Sequence, residues 1–247
     1  MNYHLTGSKN QQTILFLHGL GADLSQFEEQ QSYFESNYQV LSISLPLDKN
    51  PLSLYTIAVE IKMLLGKLDI EHVHIVGNSM GGDIGFELLK NYPSTVLSLC
   101  TFGTTPYMKS PKPFTLIMKF IIWVFPLKLI AKLASYSGVS SMAQNTIYKM
   151  FLRHSKKELY RSIDMLSNFD YGDIIETSQK PLCIIKAQKD KEINRLLEKP
   201  IKKWKNRKWF TLYKINHAGH FANLDEPLKF NKVLSKFLNT LNPTNLD

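Results

Sequence analysis

The segment His72-Val73-His74-Ile75-Val76-Gly77-Asn78-Ser79-Met80-Gly81-Gly82, continued by Asp83-Ile84-Gly85-Phe86-Glu87-Leu88-Leu89-Lys90-Asn91-Tyr92, sets the architecture of the chain. Its first part is short, β-branched and apolar, and it stops at Gly77. From Met80 onward the apolar residues Ile84, Phe86, Leu88 and Leu89 follow a helical spacing. The pattern predicts strand, sharp turn and helix, with Ser79 at the turn. A nucleophilic serine must project clear of the backbone, so such a turn is tight and strained. Side chains at Gly77 and Gly81 would collide there with neighbouring elements. The Met80 N–H then lies at a helix N-terminus, where it can stabilise an oxyanion. The same residues also suit an ordinary strand-to-helix turn in which Ser79 merely caps the helix.

Apolar runs of strand length lie on both sides of this segment. Upstream, Tyr3, His4 and Leu5 form a short first strand. Thr13-Ile14-Leu15-Phe16-Leu17 has the continuous apolar character of a buried parallel strand and ends in His18-Gly19-Leu20-Gly21. Ser25, with Glu28 three residues on, predicts a capping box opening a helix to about residue 34. Val40-Leu41-Ser42-Ile43-Ser44 is the next strand, stopped by Pro46, and residues 52–68 carry a helical pattern. Downstream, strands are predicted at 96–102, at Leu182-Cys183-Ile184-Ile185-Lys186-Ala187 and at Trp209-Phe210-Thr211-Leu212-Tyr213-Lys214-Ile215. A last helix opens at Pro227, since proline favours a first helical turn. This alternation predicts an α/β fold with a doubly wound, mostly parallel sheet.

The alternation breaks between residues 105 and 176, where no strand is evident. That stretch opens with Pro106, Pro111 and Pro113 and runs through Phe114-Thr115-Leu116-Ile117-Met118-Lys119-Phe120-Ile121-Ile122-Trp123-Val124-Phe125-Pro126. It is expected to be an inserted helical cap, leaving 1–104 and 177–247 as the core. Lys119, Lys128 and Lys132 interrupt its apolar run and Pro126 would bend it, whereas a membrane span needs about 20 mostly uncharged residues.

At 247 residues, 44% hydrophobic and 21% charged, the chain has the composition of a globular domain. Its net charge of +9 fits a lysine-rich soluble surface, or attraction to anionic lipid or acidic substrates. The densest basic run, from Lys199 to Lys208 with Trp204 among the lysines, reads as the exposed face and C-terminal end of a helix. No nucleic-acid motif accompanies it, so no nucleic-acid partner is expected. Cys100 and Cys183 each lie in an apolar run without metal-ligand spacing and are expected to be core thiols. The first residues carry no basic-then-apolar pattern of an export signal, so a cytoplasmic location is expected.

A nucleophilic serine needs a base, and the base needs an orienting carboxylate. The Gly77-Asn78-Ser79-Met80-Gly81 element resembles the nucleophile elbow of the α/β-hydrolase superfamily. That resemblance implies an acid and then a histidine later in the chain, each on a loop following a strand. Asp190 follows the 182–187 strand, and His220 follows the last strand. Ala218-Gly219-His220-Phe221, with Glu226-Pro227 shortly after, is similar to the superfamily's Gly-His segment, which selects His220 over His217. Some relatives carry the acid after the preceding strand, but Gly103-Thr104-Thr105-Pro106 holds no carboxylate. His18-Gly19-Leu20-Gly21 resembles the family's oxyanion loop; the Leu20 N–H would be the second donor beside Met80, and His18 would hold the loop. One segment departs from the family: Ser44-Leu45-Pro46-Leu47-Asp48 stands where many relatives have Asp-x-Pro-Gly-x-Gly.

The resemblance therefore implies a serine hydrolase of carboxylesterase or monoacylglycerol-lipase type. It would act on a small or lipophilic ester through Ser79, Asp190 and His220, with no metal or organic cofactor. The same triad also serves C–C bond hydrolases, thioesterases, lactonases and lyase-like synthases, and some relatives are ligand receptors. Phe114, Ile117, Phe120, Ile121 and Trp123 exceed what one buried helix face needs. Either both faces pack, or these residues line a greasy acyl pocket or touch lipid, with Lys119, Lys128 and Lys132 facing anionic headgroups. Nothing in the sequence sets an oligomeric state.

Overall fold

A computed structural model describes residues 1–241 of the chain. Its strands are β1 (Tyr3–Thr6), β2 (Thr13–Leu17), β3 (Gln39–Ile43), β4 (Val73–Asn78), β5 (Val96–Phe102), β6 (Tyr107–Lys109), β7 (Asn168–Asp170), β8 (Leu182–Ala187) and β9 (Phe210–Ile215). Seven of them form one sheet in the order β1-β3-β2-β4-β5-β8-β9. β1 runs antiparallel to β3, and every other neighbouring pair in this sheet is parallel. The helices are α1 (Glu28–Phe34), α2 (Leu54–Lys67), α3 (Met80–Asn91), α4 (Lys112–Val124), α5 (Leu127–Ser135), α6 (Ser141–Phe151), α7 (Lys156–Met165), α8 (Gly172–Ser178), α9 (Lys191–Leu196), α10 (Glu198–Trp204), α11 (Ala222–Asp225) and α12 (Pro227–Leu241).

The inner strands β2, β3 and β4 are buried along their whole length because helices cover both faces of the sheet, whereas the edge strand β1 is largely exposed. Leu15, Leu17 and Ile75 face one core with Ile57 and Ile61 of α2, Ile84 and Phe86 of α3, and Trp204 of α10. Ile14, Phe16 and Val76 face the other, with Phe34 of α1 and Phe230, Leu234 and Phe237 of α12. Phe16 and Phe27 stack with ring centroids 4.7 Å apart. Each such fully buried side chain contributes about 1.5–3 kcal/mol. Cys100 and Cys183 are register partners on β5 and β8, both buried, and burial pushes the Cys183 thiol well above its usual range.

Between β5 and β8 the chain leaves the sheet for α4–α7. Tyr107↔Asp170 and Lys109↔Asn168 pair antiparallel, so the three-residue strands β6 and β7 tie the two ends of this insertion together. They are too short to be read from alternation. Beneath it, Ile122 of α4, Ile130 of α5 and Leu159 of α7 form a small core against which Leu20 packs. Ala143, Ile147 and Met150 of α6 pack with Ala22 and Phe221. The insertion therefore sits over the loops that follow β2 and β9. Among the described residues no helix is long and apolar enough to cross a membrane.

The start of the first helix differs from the expected capping box. A 3₁₀ turn, Leu24–Phe27, precedes α1, and its cap is Asp23. The Asp23 carboxylate accepts from the Ser25 N–H at 2.9 Å and pairs with Arg153 of the insertion at 2.7 Å. The Ser25 hydroxyl donates to the same carboxylate and accepts from Arg153 at 3.2 Å, so it is committed to this cluster and does not cap α1.

Candidate active site

Ser79 occupies the turn between β4 and α3 with φ +50° and ψ −121°, in the left-handed region that side chains rarely adopt. Such a residue costs about 1–3 kcal/mol and persists only where its surroundings impose it. The Ser79 N–H donates to the Phe102 carbonyl at 2.9 Å, and its carbonyl accepts from the Gly82 N–H at 2.8 Å. The hydroxyl does not cap α3, so the plain capping alternative does not apply. The flanking glycines are required by space. A Cβ on Gly81 would lie 2.0 Å from the Leu17 carbonyl oxygen, and one on Gly77 2.5 Å from the Gly82 nitrogen.

Asp190 and His220 come from different loops at the same edge of the sheet, after β8 and β9. His220 Nδ1 donates to Asp190 Oδ2 at 2.8 Å, with both side chains largely buried. The two loops are stitched together by the Lys189 N–H donating to the Ala218 carbonyl at 2.8 Å. This pairing leaves His220 Nε2 as the ring atom able to take a proton. His217 lies apart: it is exposed, its φ is +64°, and its N–H donates to the Gln188 side chain. Among the described residues Ser79 Oγ carries no hydrogen bond; such bonds often tighten only once substrate is present.

His18 is buried and fixed at both ring nitrogens. The Leu45 N–H donates to Nε2 at 2.9 Å, so Nδ1 carries the proton and donates to the Gly19 carbonyl at 2.8 Å. Burial holds its pKa at about 4, so it stays neutral. The segment that lacks the family's glycines thus anchors His18 through Leu45. Met80 opens α3 directly after Ser79, and Leu20 lies on the loop after β2, two residues beyond His18. A Cβ on Gly19 would lie 3.4 Å from the Ser79 Cβ, which gives the closeness of that loop to the serine.

A buried amide network, not apparent in the sequence, joins these loops. Asn78 Nδ2 donates to the His220 carbonyl at 3.0 Å, and Gln26 Nε2 donates to Asn78 Oδ1 at 3.0 Å. Gln26 Oε1 accepts from the Gly19 N–H at 3.1 Å, and Asn223 Nδ2 donates to the Gln26 carbonyl at 2.8 Å. Asp225 completes the frame, accepting from the N–H groups of Gly219, Val139 and Ser140 at 2.7–2.8 Å. No sequence spacing marks these residues, because each amide belongs to a different element.

The five aromatic and aliphatic residues of α4 lie elsewhere. Phe114, Ile117, Phe120 and Trp123 are more than half exposed, and Ile121 is half-buried. A cleft of about 350 Å³ beside the Asp190–His220 pair is lined instead by Tyr136, Ser137 and Val139 of the insertion, with Gly219 and Glu192. In the basic run, Trp204 is buried and donates to Glu176 Oε1 at 3.0 Å, so it anchors α10 to α8.

Comparison with known proteins agrees with this architecture. The model of the α/β-hydrolase fold family matches residues 12–227. A protein of Acinetobacter baylyi named as the carbamate hydrolase RutD is 22% identical over 99% of this chain and 100% of its own length. A 2-hydroxy-6-oxononadienedioate/2-hydroxy-6-oxononatrienedioate hydrolase of a Pseudomonas species is 22% identical over 92% of this chain and 88% of its own. The structure of a thermophilic esterase from Thermogutta terrifontis superposes with a TM-score of 0.83 at 16% identity, covering 97% of this chain and 93% of that one. Family match, sheet order and the Ser79 turn agree: the chain belongs to the α/β-hydrolase fold family.

Proposed function

We propose that this protein is a serine hydrolase that cleaves carboxylic esters through an acyl-enzyme. The observation that carries the reading is the strained Ser79 turn at the sheet edge that also bears the hydrogen-bonded Asp190–His220 pair. Ser79 Oγ attacks the ester carbonyl while His220 Nε2 takes its proton. Asp190 holds the ring through Nδ1 and stabilises the imidazolium. The Met80 and Leu20 N–H groups receive the developing oxyanion, Met80 at the positive end of α3. His220 then protonates the leaving alcohol, and water reverses the sequence to release the acid.

The test is turnover of a p-nitrophenyl ester series by the wild type and by Ser79→Ala. Hydrolysis is expected from the wild type, with a loss of about a million-fold in the variant. Equal rates would overturn the proposal. The cleft beside the pair joins Tyr136 and Val139 to Lys189 and Glu192, so it offers both apolar and charged contacts to the acyl or alcohol group. The relative named for carbamate hydrolysis supports a second reading, in which the same triad attacks a carbamate carbonyl. Faster turnover of p-nitrophenyl carbamates than of every ester in the series would favour it.

A further inference from the structure

Helix α4 is apolar on both sides: Ile122 packs inward, and a second apolar stripe faces out. A surface helix ordinarily buries its apolar stripe and gives its charges to water. Here Leu116, Ile117, Phe120, Trp123 and Val124 form a stripe at helical spacing that is exposed, with Trp123 71% and Leu116 64% accessible. Of its two lysines, Lys119 points the other way, pairing with Asp164 and lying over the Tyr160 ring at 4.8 Å. The buried sides of α4 and α5 meet over Leu20, so α5 also turns its far side outward. There Leu129, Leu133 and Tyr136 are 42%, 58% and 58% exposed. Monomeric soluble proteins rarely leave so continuous an apolar surface without a partner.

The charge around it identifies the partner. Residues 105–157 contain nine lysines and arginines and not one aspartate or glutamate. Lys112 opens α4, Lys128 and Lys132 stand exposed among the apolar residues of α5, and Lys156 donates to the Trp123 carbonyl at the end of α4. A second copy of the chain would bring the exposed Lys112, Lys128 and Lys132 against their own counterparts, a like-charge contact that opposes association. An apolar face rimmed by lysines is complementary to anionic headgroups over acyl chains. With 13 residues, α4 is about 20 Å long, too short to span a bilayer but suited to lying in its surface.

We propose that the outer face of α4 and α5 docks the protein on anionic phospholipid bilayers. Leu116, Phe120 and Trp123 enter the acyl boundary, and Lys112, Lys128 and Lys132 meet the headgroups. The docked face runs into the catalytic region, because Tyr136 and Val139 line the cleft beside Asp190 and His220, and the Ser137 carbonyl accepts from the His220 N–H at 2.9 Å. Docking brings that cleft to the membrane surface. It does not depend on turnover, so its failure and the failure of the ester-hydrolase reading are separate results.

The test is co-sedimentation of the full chain with vesicles of phosphatidylcholine alone and of phosphatidylcholine mixed with phosphatidylglycerol. Binding is expected to the mixed vesicles and to fall as salt is added. Lys128→Gln with Lys132→Gln is expected to lower the partition constant about thirtyfold, from about 1 kcal/mol per lysine. Leu116→Glu with Leu133→Glu, on side chains that are exposed and therefore not needed for folding, is expected to abolish binding with the thermal unfolding profile unchanged. Three results would overturn the proposal. One is absence of binding to the mixed vesicles, and another is binding that neither double variant weakens. The third is a concentration-dependent dimer, lost in the leucine double variant, in a protein that leaves the vesicles unbound.

Discussion

The side-chain amide of Asn78, the residue before Ser79, donates to the backbone carbonyl of His220 at 3.0 Å across 142 positions of sequence. Its oxygen accepts from Gln26, which in turn holds the Gly19 N–H of the loop beside the serine. One buried side chain thus couples the serine turn, the histidine loop and the loop carrying Leu20. Asn78→Ala removes that coupling without touching a reacting atom. The expected outcome is a fall in kcat of about 10–100-fold with little change in KM, as for a small misplacement of reacting groups. The stranded Gln26 amide should cost about 1–3 kcal/mol in stability. Steady-state kinetics and urea unfolding of the same preparation check both parts; an unchanged kcat would remove Asn78 from the positioning frame.

Asp190 fixes which nitrogen of His220 bears the proton. Asp190→Asn keeps the shape and loses the charge, so the ring is free to adopt the tautomer that cannot accept from Ser79. The kcat should fall by about 1,000–10,000-fold while the fold is retained. A loss below about tenfold would contradict the role given to the pair.

Three buried titratable groups set opposing trends of stability with pH. Burial lowers His18 and His74 to about 4, so the unfolded chain binds more protons between about 4 and 6.5. Their contribution to stability is complete above pH 6.5 and is lost as pH falls through that window. Burial raises Asp83 to about 7, against the hydrogen bond donated by Thr104. In its case the folded state binds more protons, so its contribution declines as pH rises from about 4 to 7. Asp83→Asn removes only the declining part. The variant should match the wild type near pH 4 and exceed it by up to about 4 kcal/mol at pH 7. Urea unfolding at a series of pH values measures this, and a difference that does not grow with pH would contradict it.

What the sequence made legible is local. The inner strands β2, β3, β4, β5 and β8 could be read because nearly every residue in them is buried, and the Ser79 turn because Gly77 and Gly81 bracket it at fixed spacing. Asp190 and His220 could be placed at one sheet edge because each directly follows a strand. The amide network could not be read, since Gln26, Asn78 and Asn223 meet only after the chain has crossed the sheet. The direction of α4 was hidden for a related reason. Periodicity reveals that Leu116, Phe120 and Trp123 share a face, but not which face packs; Ile122 packs inward, Lys119 pairs with Asp164, 45 residues on, and the stripe stays outside. The capping pattern at Ser25 was outbid by Asp23, whose carboxylate also reaches Arg153.

Gly81 tests the tightness of the turn. With the Leu17 carbonyl 2.0 Å from where a Cβ would stand, backbone must move for any side chain to fit. Gly81→Ala should fail to accumulate as folded protein or should melt far below the wild type, whereas Gly66→Ala, which meets nothing within 4 Å, should not. Equal melting temperatures for the two variants would contradict the packing of β2 against the turn.

The most direct test of the central claim is covalent labelling by a fluorophosphonate, read by intact mass and peptide mapping, of the wild type, Ser79→Ala and His220→Ala. The account predicts one adduct on the wild type, mapped to Ser79, none on Ser79→Ala, and strongly slowed labelling of His220→Ala. Labelling that persists in Ser79→Ala, or a wild type that takes no adduct, would contradict it.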